Sequence, residues 1–390
     1  MAIVDRAAPA ASKEGRLSTR TSPPFRADHV GSLLRPKRLL EARAAHSEGR
    51  ISAEQLREAE DGAIREAVAM QEEVGLQAVT DGELRRASWH MDFVYQIGGV
   101  ERTEDPMRSV FHNDQGDVEF TPTRARIRDR LTLDHTIFGE DFSFLAGAVA
   151  KGTPKLTIPS PSIVHYRGGP AAIDADVYPD MDRFWSDLAA VYADELDRLA
   201  ALGCTYLQLD DTSFAYLNDP NERAAFDQRG EHGDEQHLTY IRTINRSLER
   251  RPAGMTITTH MCRGNFRSSW VAQGGYDFVA EPLFSELAVD AFFMEYDDER
   301  SGGFEPLRFV PKDKLVVLGL VTSKRAALES KDEIKRRIDE AARFIDIDQL
   351  CLSPQCGFSS TSEGNDLTPD QQRAKLALVV ETAADVWGSA

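Results

Sequence analysis

The chain has 390 residues, 41% of them hydrophobic and 28% charged, with a formal net charge of −18. That composition belongs to a globular protein able to bury a substantial core. The charge weighs against a general polyanion binder, so no nucleic-acid partner is expected, although a local basic pocket stays open. No apolar run approaches the roughly 18 residues of a membrane helix, so no membrane span is expected. Residues 1–25 lack the apolar stretch of a secretory signal and read as a flexible leader, which implies a cytoplasmic location. Four cysteines in such a chain suit metal ligation, catalysis or small buried apolar positions better than a disulfide framework.

In chain order, strand-like runs cover 27–33, 78–81, 155–159, 206–210, 255–260, 291–295, 315–320 and 349–353. Amphipathic helical stretches cover 52–74, 181–202, 235–250, 331–344 and 368–386. Ser52 with Gln55 resembles a capping box, and Thr368-Pro-Asp places proline in a first helical turn. Eight strands alternating with helices predict a (β/α)8 TIM barrel, with a doubly wound open sheet as the competitor. The barrel is favoured because polar candidates close nearly every strand, where such barrels carry their sites. The connection at about 90–150 is too long for an ordinary loop. Its alternating stretches (VEFTPTRARI, LTLDH) predict a β-hairpin inserted after the second strand, with a lid or a homodimer contact as its uses. A single domain over 26–390 is the expectation.

His260 and Cys262 (ITTHMCRGN), Glu295 (AFFMEYDD) and Cys356 (LSPQCGFSS) each close or follow a strand-like run. All are ligand types for Zn2+, and four of them would complete a tetrahedral site. A histidine and a cysteine two apart at a strand end project to the same side and can reach one ion. Three anionic ligands leave such a zinc electron-rich, better suited to holding an incoming thiol as thiolate than to activating water. Spacing alone leaves the plain alternative, buried cysteines as small apolar residues, open. Cys204 and Cys351, inside apolar runs, fit that alternative.

The segments THMCRGN, FFMEYDD and SPQCGFSS resemble the zinc-ligand segments of the catalytic half of cobalamin-independent methionine synthases. HVGSLLRP, TDGELRR, LQLDDTSFAYL and VLGLVTSK extend the resemblance over roughly 26–388, in the family's order. The resemblance implies a zinc-binding (β/α)8 barrel in which homocysteine sulfur, held on the metal, attacks a methyl group. It implies Ser32, Glu83 and Asp210 as amino-acid contacts: Ser32 for a carboxylate, the two acids for an ammonium. Asp211, beside Asp210, reads instead as a helix-start residue. Arg85, Arg86, Trp89 and His90, and then His165, Tyr166 and Arg167, give a basic and aromatic mouth suited to a flat or anionic methyl donor. The chain departs from the family in having one barrel rather than two. It also has His165 or Tyr166 where the family carries a tryptophan in its folate-binding loop. The donor therefore stays open among a folate, a corrinoid carrier, a methylated sulfonium and an epoxide. The alternatives are thiol alkylation of the epoxyalkane:coenzyme M transferase type and a non-catalytic zinc-binding barrel.

Overall fold

The computed structural model describes residues 20–103, 109–113, 116–120 and 124–390. The leader expected at 1–25 lies outside the described residues up to 19. Phe25, by contrast, is buried, its ring 6.5 Å from that of Tyr206.

The fold is α/β. Its centre is a six-stranded parallel sheet whose strands lie side by side in chain order. With strands numbered along the whole chain, β7 (Leu156–Pro159), β8 (Tyr206–Asp211), β9 (Thr256–Met261), β10 (Ala291–Glu295), β11 (Leu315–Val321) and β12 (Leu350–Pro354) form it. Nearly every residue of these strands is buried, as expected for parallel strands covered on both faces. A separate parallel pair joins β1 (Ala78–Val79) to β6 (Thr153–Pro154), the latter running directly into β7. The strand expected at 27–33 is reduced to one parallel bridge, Ala27 to Leu352. Gly31 interrupts it: its φ of +142° turns the chain, and a Cβ there would meet Thr157 Cγ2 at 2.7 Å.

Helices flank the sheet. The helix Ala53–Val74 starts at the expected capping box of Ser52 and Gln55 and ends at Gly75, whose φ of +95° suits glycine. Thr368 and Gln371 form the second box, ahead of the helix Pro369–Trp387. The helix Met181–Ala201 buries Phe184, Leu188, Tyr192, Leu196 and Leu199 at helical spacing. Between β1 and β6 lie two antiparallel pairs. β2 (Gly98–Thr103) pairs with β5 (Arg124–Thr132), and β3 (Ser109–Asn113) with β4 (Gly116–Phe120). His112 and Trp270 exchange backbone hydrogen bonds of 2.6 and 2.9 Å, tying β3 to the loop after β9.

Alternation along the strands sorts the two faces of the sheet. Ile257, Met261, Phe292 and Met294 join the main core under the helices, while Val30, Phe293, Val317 and Cys351 form a small cluster on the other face. Beside that cluster sits a fully buried ion pair. Lys155 Nζ lies 3.0 Å from Asp28 Oδ1 and 2.6 Å from His29 O, over the ring of Phe293. Asp28 also accepts from Tyr206 Oη at 2.7 Å, so the buried carboxylate is fully hydrogen-bonded. Among the described residues no helix is long and apolar enough to cross a membrane.

Candidate metal centre and substrate cavity

The face that carries Phe293 also carries His260, its cross-strand partner, and Asp210, the partner of His260 in the β8–β9 register, with Glu295 two residues beyond Phe293 on the same strand. Cys262 extends β9 by one further inward position, its N–H donating to Asp211 O at 2.7 Å. Cys356 follows β12, where Gln355 N–H reaches Val321 O at 2.8 Å. The structure thus brings His260, Cys262, Glu295 and Cys356 together at the C-terminal ends of β9, β10 and β12, all buried.

His260, Glu295 and Cys356 are close enough to share one ion, while Cys262 reaches this set through Cys356 and is not within 4.8 Å of every other ligand atom. Ligand bonds of about 2.0–2.3 Å place ligand atoms roughly 3.3–3.8 Å apart. The two Sγ atoms are 3.5 Å apart, and His260 Nε2 is 3.8 Å from Glu295 Oε1. The ligand atoms of His260, Glu295 and Cys356 lie within 4.8 Å of one another. His260 Nδ1 sits 3.5 Å from Asp210 Oδ1, an orientation that turns Nε2 toward the cluster. Glu295 is held by Arg263 N–H at 3.2 Å, and Gly264 N–H donates to Cys262 Sγ at 3.4 Å. Crowded acids show in the proton affinities. The contact with Cys356, with burial, pushes the Cys262 thiol up, and the same contact holds Cys356 down. Burial opposes charge on His260, but the hydrogen bond to Asp210 and the surrounding acids raise it to about 9.

The cluster opens onto a cavity of about 170 Å³ whose walls include Ser32, Glu83, Trp89 and Asp210. Glu83 stands in a tight turn, with the left-handed φ of +57° rare for a side-chain-bearing residue. Its Oε1 accepts from Thr157 Oγ1 at 2.8 Å and lies 3.6 Å from Arg86, but its Oε2 is buried without a hydrogen-bond partner. Burial raises its pKa to about 7, against the pull of Arg86 and with the push of Asp210. Ser32 accepts from Ser359 N–H at 3.4 Å, and a Cβ at Gly357 would come within 1.9 Å of Ser32 Oγ, forcing that hydroxyl to turn away. Arg35 staples the walls, donating to Ser359 O, Thr361 O and Arg86 O at 2.8–2.9 Å.

Three predicted contacts are turned elsewhere. Arg85 lies over the Phe144 ring and pairs with Asp61 and Asp141, facing a separate cleft beside the helix Ala53–Val74. The left-handed turn at Glu83 breaks the alternation that would have kept Arg85 with it. His165 is locked between Tyr240 Oη at 3.0 Å and Glu231 Oε1 at 3.3 Å, and Tyr166 Oη donates to Glu222 at 2.5 Å. Both are inside the short helix Pro161–Tyr166 and point into the core. Arg167, at that helix's end, lines the cavity instead, as does His90. Tyr216 and Asn265 also line it and were not singled out from the sequence. Their signal was position alone: Tyr216 closes the short helix after β8, and Asn265 follows Cys262 by three. Asp211 caps that short helix as expected, accepting from Ser213 N–H at 2.6 Å. Cys204 and Cys351 are buried in apolar surroundings, as expected.

Comparison with known proteins identifies the family. Residues 167–385 match the family model described as the catalytic domain of cobalamin-independent synthase. The chain is 46% identical over 379 residues to the uncharacterized protein YxjG of Bacillus subtilis, covering 94% of this chain and 96% of that one. It is 48% identical over 371 residues to YxjH of the same organism, covering 93% and 95%. A solved structure from Listeria monocytogenes, described as a candidate vitamin-B12 independent methionine synthase, superposes with a TM-score of 0.73 at 37% identity. It covers 94% of this chain and 99% of that one. With a family model matching more than half of its length and a solved structure 37% identical over nearly all of it, the chain belongs to the cobalamin-independent methionine synthase family.

Proposed function

We propose that the chain is a zinc-dependent thiol S-methyltransferase that methylates homocysteine to methionine, built as a single (β/α)8 barrel. The barrel reading rests on the Ala27–Leu352 bridge at one edge of the sheet and the β1–β6 pair at the other. On it, the antiparallel strands between β1 and β6 are an insertion, and β3 reaches the cavity through Phe111.

One observation carries the substrate assignment. A buried carboxylate oxygen without a partner, Glu83 Oε2, belongs to a residue that shares its cavity with His260, Cys262 and Cys356 of the cluster. An α-ammonium group satisfies Glu83 and Asp210 together, while Ser32 offers its hydroxyl to the carboxylate of the same amino acid. A zinc ion held by His260, Cys262, Glu295 and Cys356 would supply the positive charge that keeps a thiol sulfur ionised at neutral pH. Glu295, the one carboxylate of the four, is the ligand most readily displaced. Its N–H and carbonyl are both bonded to Tyr276 Oη, at 3.0 and 3.3 Å, so its backbone stays fixed while the side chain swings. Trp89, Met91, Phe111 and Phe266 give the cavity apolar walls that exclude water around the sulfur. The sulfur lone pair forms the new C–S bond as the donor's bond to the methyl carbon breaks, and its electrons leave with the donor.

A sulfonate thiol such as coenzyme M would instead face Glu83 and Asp210, two carboxylates. The test is to load the protein with cobalt and titrate L-homocysteine and, separately, coenzyme M. New sulfur-to-cobalt absorbance with homocysteine alone is expected. A response to coenzyme M alone would replace the substrate, and no response to either would leave a non-catalytic metal site.

A further inference from the structure

The cavity holds acceptors for an ammonium group, and it also holds donors with nothing to donate to. His90 is buried, and Ser88 Oγ lies 3.1 Å from its Nδ1. That hydroxyl accepts Met91 N–H at 3.3 Å and has its own hydrogen to offer Nδ1; in the tautomer that accepts it, the ring proton is on Nε2. Nε2 is buried without a partner. Burial and the neighbouring Arg167 hold His90 well below its ordinary pKa, so the ring stays neutral. Arg167 has a buried, unpartnered Nε, and among the described residues no carboxylate pairs with its guanidinium. Tyr216 Oη is likewise buried and unpartnered. Gly264, two residues beyond Cys262, makes room for it: a Cβ there would come within 2.8 Å of Tyr216 Oη.

An unpaired guanidinium in a partly buried cavity is costly unless something anionic completes it, the more so in a chain with 64 acidic residues. His90 and Arg167 also line a small recess of about 30 Å³ that adjoins the main cavity, so there is room beyond the amino-acid position. The amino acid's ammonium is matched by Glu83 and Asp210, and Ser32 offers its hydroxyl to the carboxylate. We propose that His90, Arg167 and Tyr216 form a subsite for an anionic oxygen group (carboxylate, phosphate or sulfonate) of the methyl donor. This rests on the thiol-methylation reading for the word donor, and on the three orphaned hydrogen-bonding groups for the anion.

The experiment is calorimetry on the metal-loaded protein at constant ionic strength, with chloride as background. Acetate, methyl phosphate and methanesulfonate are titrated in the presence of saturating L-methionine, and L-methionine is titrated alone. Wild type is expected to bind at least one of the anions. Arg167→Met is expected to weaken that anion about 10- to 100-fold, the usual loss with a charge-assisted hydrogen bond, and to leave L-methionine little changed. Tyr216→Phe, which removes only the hydroxyl, is expected to weaken the anion less and in the same direction. Failure of wild type to bind any of the three anions would overturn the proposal, as would an anion affinity indifferent to Arg167→Met. Equal loss of L-methionine and anion in Arg167→Met would also overturn it, by making Arg167 the partner of the amino acid's carboxylate. Anion binding through Arg167 in a protein that ignores L-methionine would sink the amino-acid reading and leave the anion subsite standing.

Discussion

Replacing Glu83 with glutamine separates its charge from its shape, and L-methionine is the ligand to use because nothing on it titrates between pH 5 and 8. Glu83 titrates at about 7. Only its ionised form attracts an ammonium group, and that form is about one molecule in eleven at pH 6 and ten in eleven at pH 8. Affinity for L-methionine should therefore fall about tenfold from pH 8 to pH 6, and binding at pH 6 should release close to one proton. The sign follows from the direction of the shift: acid protonates the clamp, so acid weakens binding. In Glu83→Gln the neutral amide keeps the contact and loses the charge assistance, which is worth about 1.5–3 kcal/mol, or roughly 10- to 150-fold at pH 8. The pH dependence contributed by residue 83 should vanish with it. Calorimetry at pH 6, 7 and 8 in buffers of different ionisation enthalpy measures both quantities. Neighbouring titrations at His260 and the cysteines are common to both proteins, so they cancel in the comparison. A flat wild-type profile, or a glutamine variant that binds as tightly and with the same slope, would refute the assignment of Glu83 as the ammonium partner.

Cys356→Ser is expected to lower the metal retained after dialysis well below one per chain and to abolish thiol alkylation; full retention of metal would remove Cys356 from the ligand set. Lys155→Met strands Asp28 in the interior and should cost about 3–5 kcal/mol in urea unfolding, with Asp28→Asn in the same chain recovering part of it. Glu195 is buried and pushed up to about 8, so it folds as the neutral acid. Its contribution to stability is complete below pH 4.5 and is lost as pH rises toward 8. Glu195→Gln, indifferent to pH, should gain about 3–4 kcal/mol on wild type between pH 5 and pH 8. Parallel denaturation midpoints at those two values would show the carboxyl to be better solvated than its burial implies.

Strand periodicity made the His260 and Cys262 pair legible, while gathering Glu295 and Cys356 with them rested on the family resemblance, since spacing alone left that open. Residues two apart share a face, and buried parallel strands end in register. The same rule fails one residue past a strand end. Glu83 sits at a left-handed turn, and the next arginine points into a different cleft. His165 and Tyr166 were read as mouth residues from a loop, but the chain there coils into a helix that hides both and leaves Arg167 at the rim. Proline and serine at 160–162 carried that signal, since proline at a first helical position favours a helix start. The run at 27–33 read as a full strand because its apolar spacing is right. Gly31 could adopt a backbone conformation closed to other residues, and nothing in the local pattern said that it would.

The cluster and the clamp hang from parts of the sheet that differ in how firmly they are laddered. His260 and Glu295 project from a continuous run of six paired strands, with Cys262 and Cys356 just beyond the ends of two of them. Ser32 follows a segment joined to β12 by one bridge, and Glu83 follows a strand of two residues. Local opening is cheapest where few backbone bonds must break, so the amino-acid end can breathe while the cluster stays assembled. In amide exchange the segments around 27–33 and 78–84 should exchange well ahead of β9 and β10. Product would then leave by loosening of the clamp, with the ligand set carried intact from one turnover to the next.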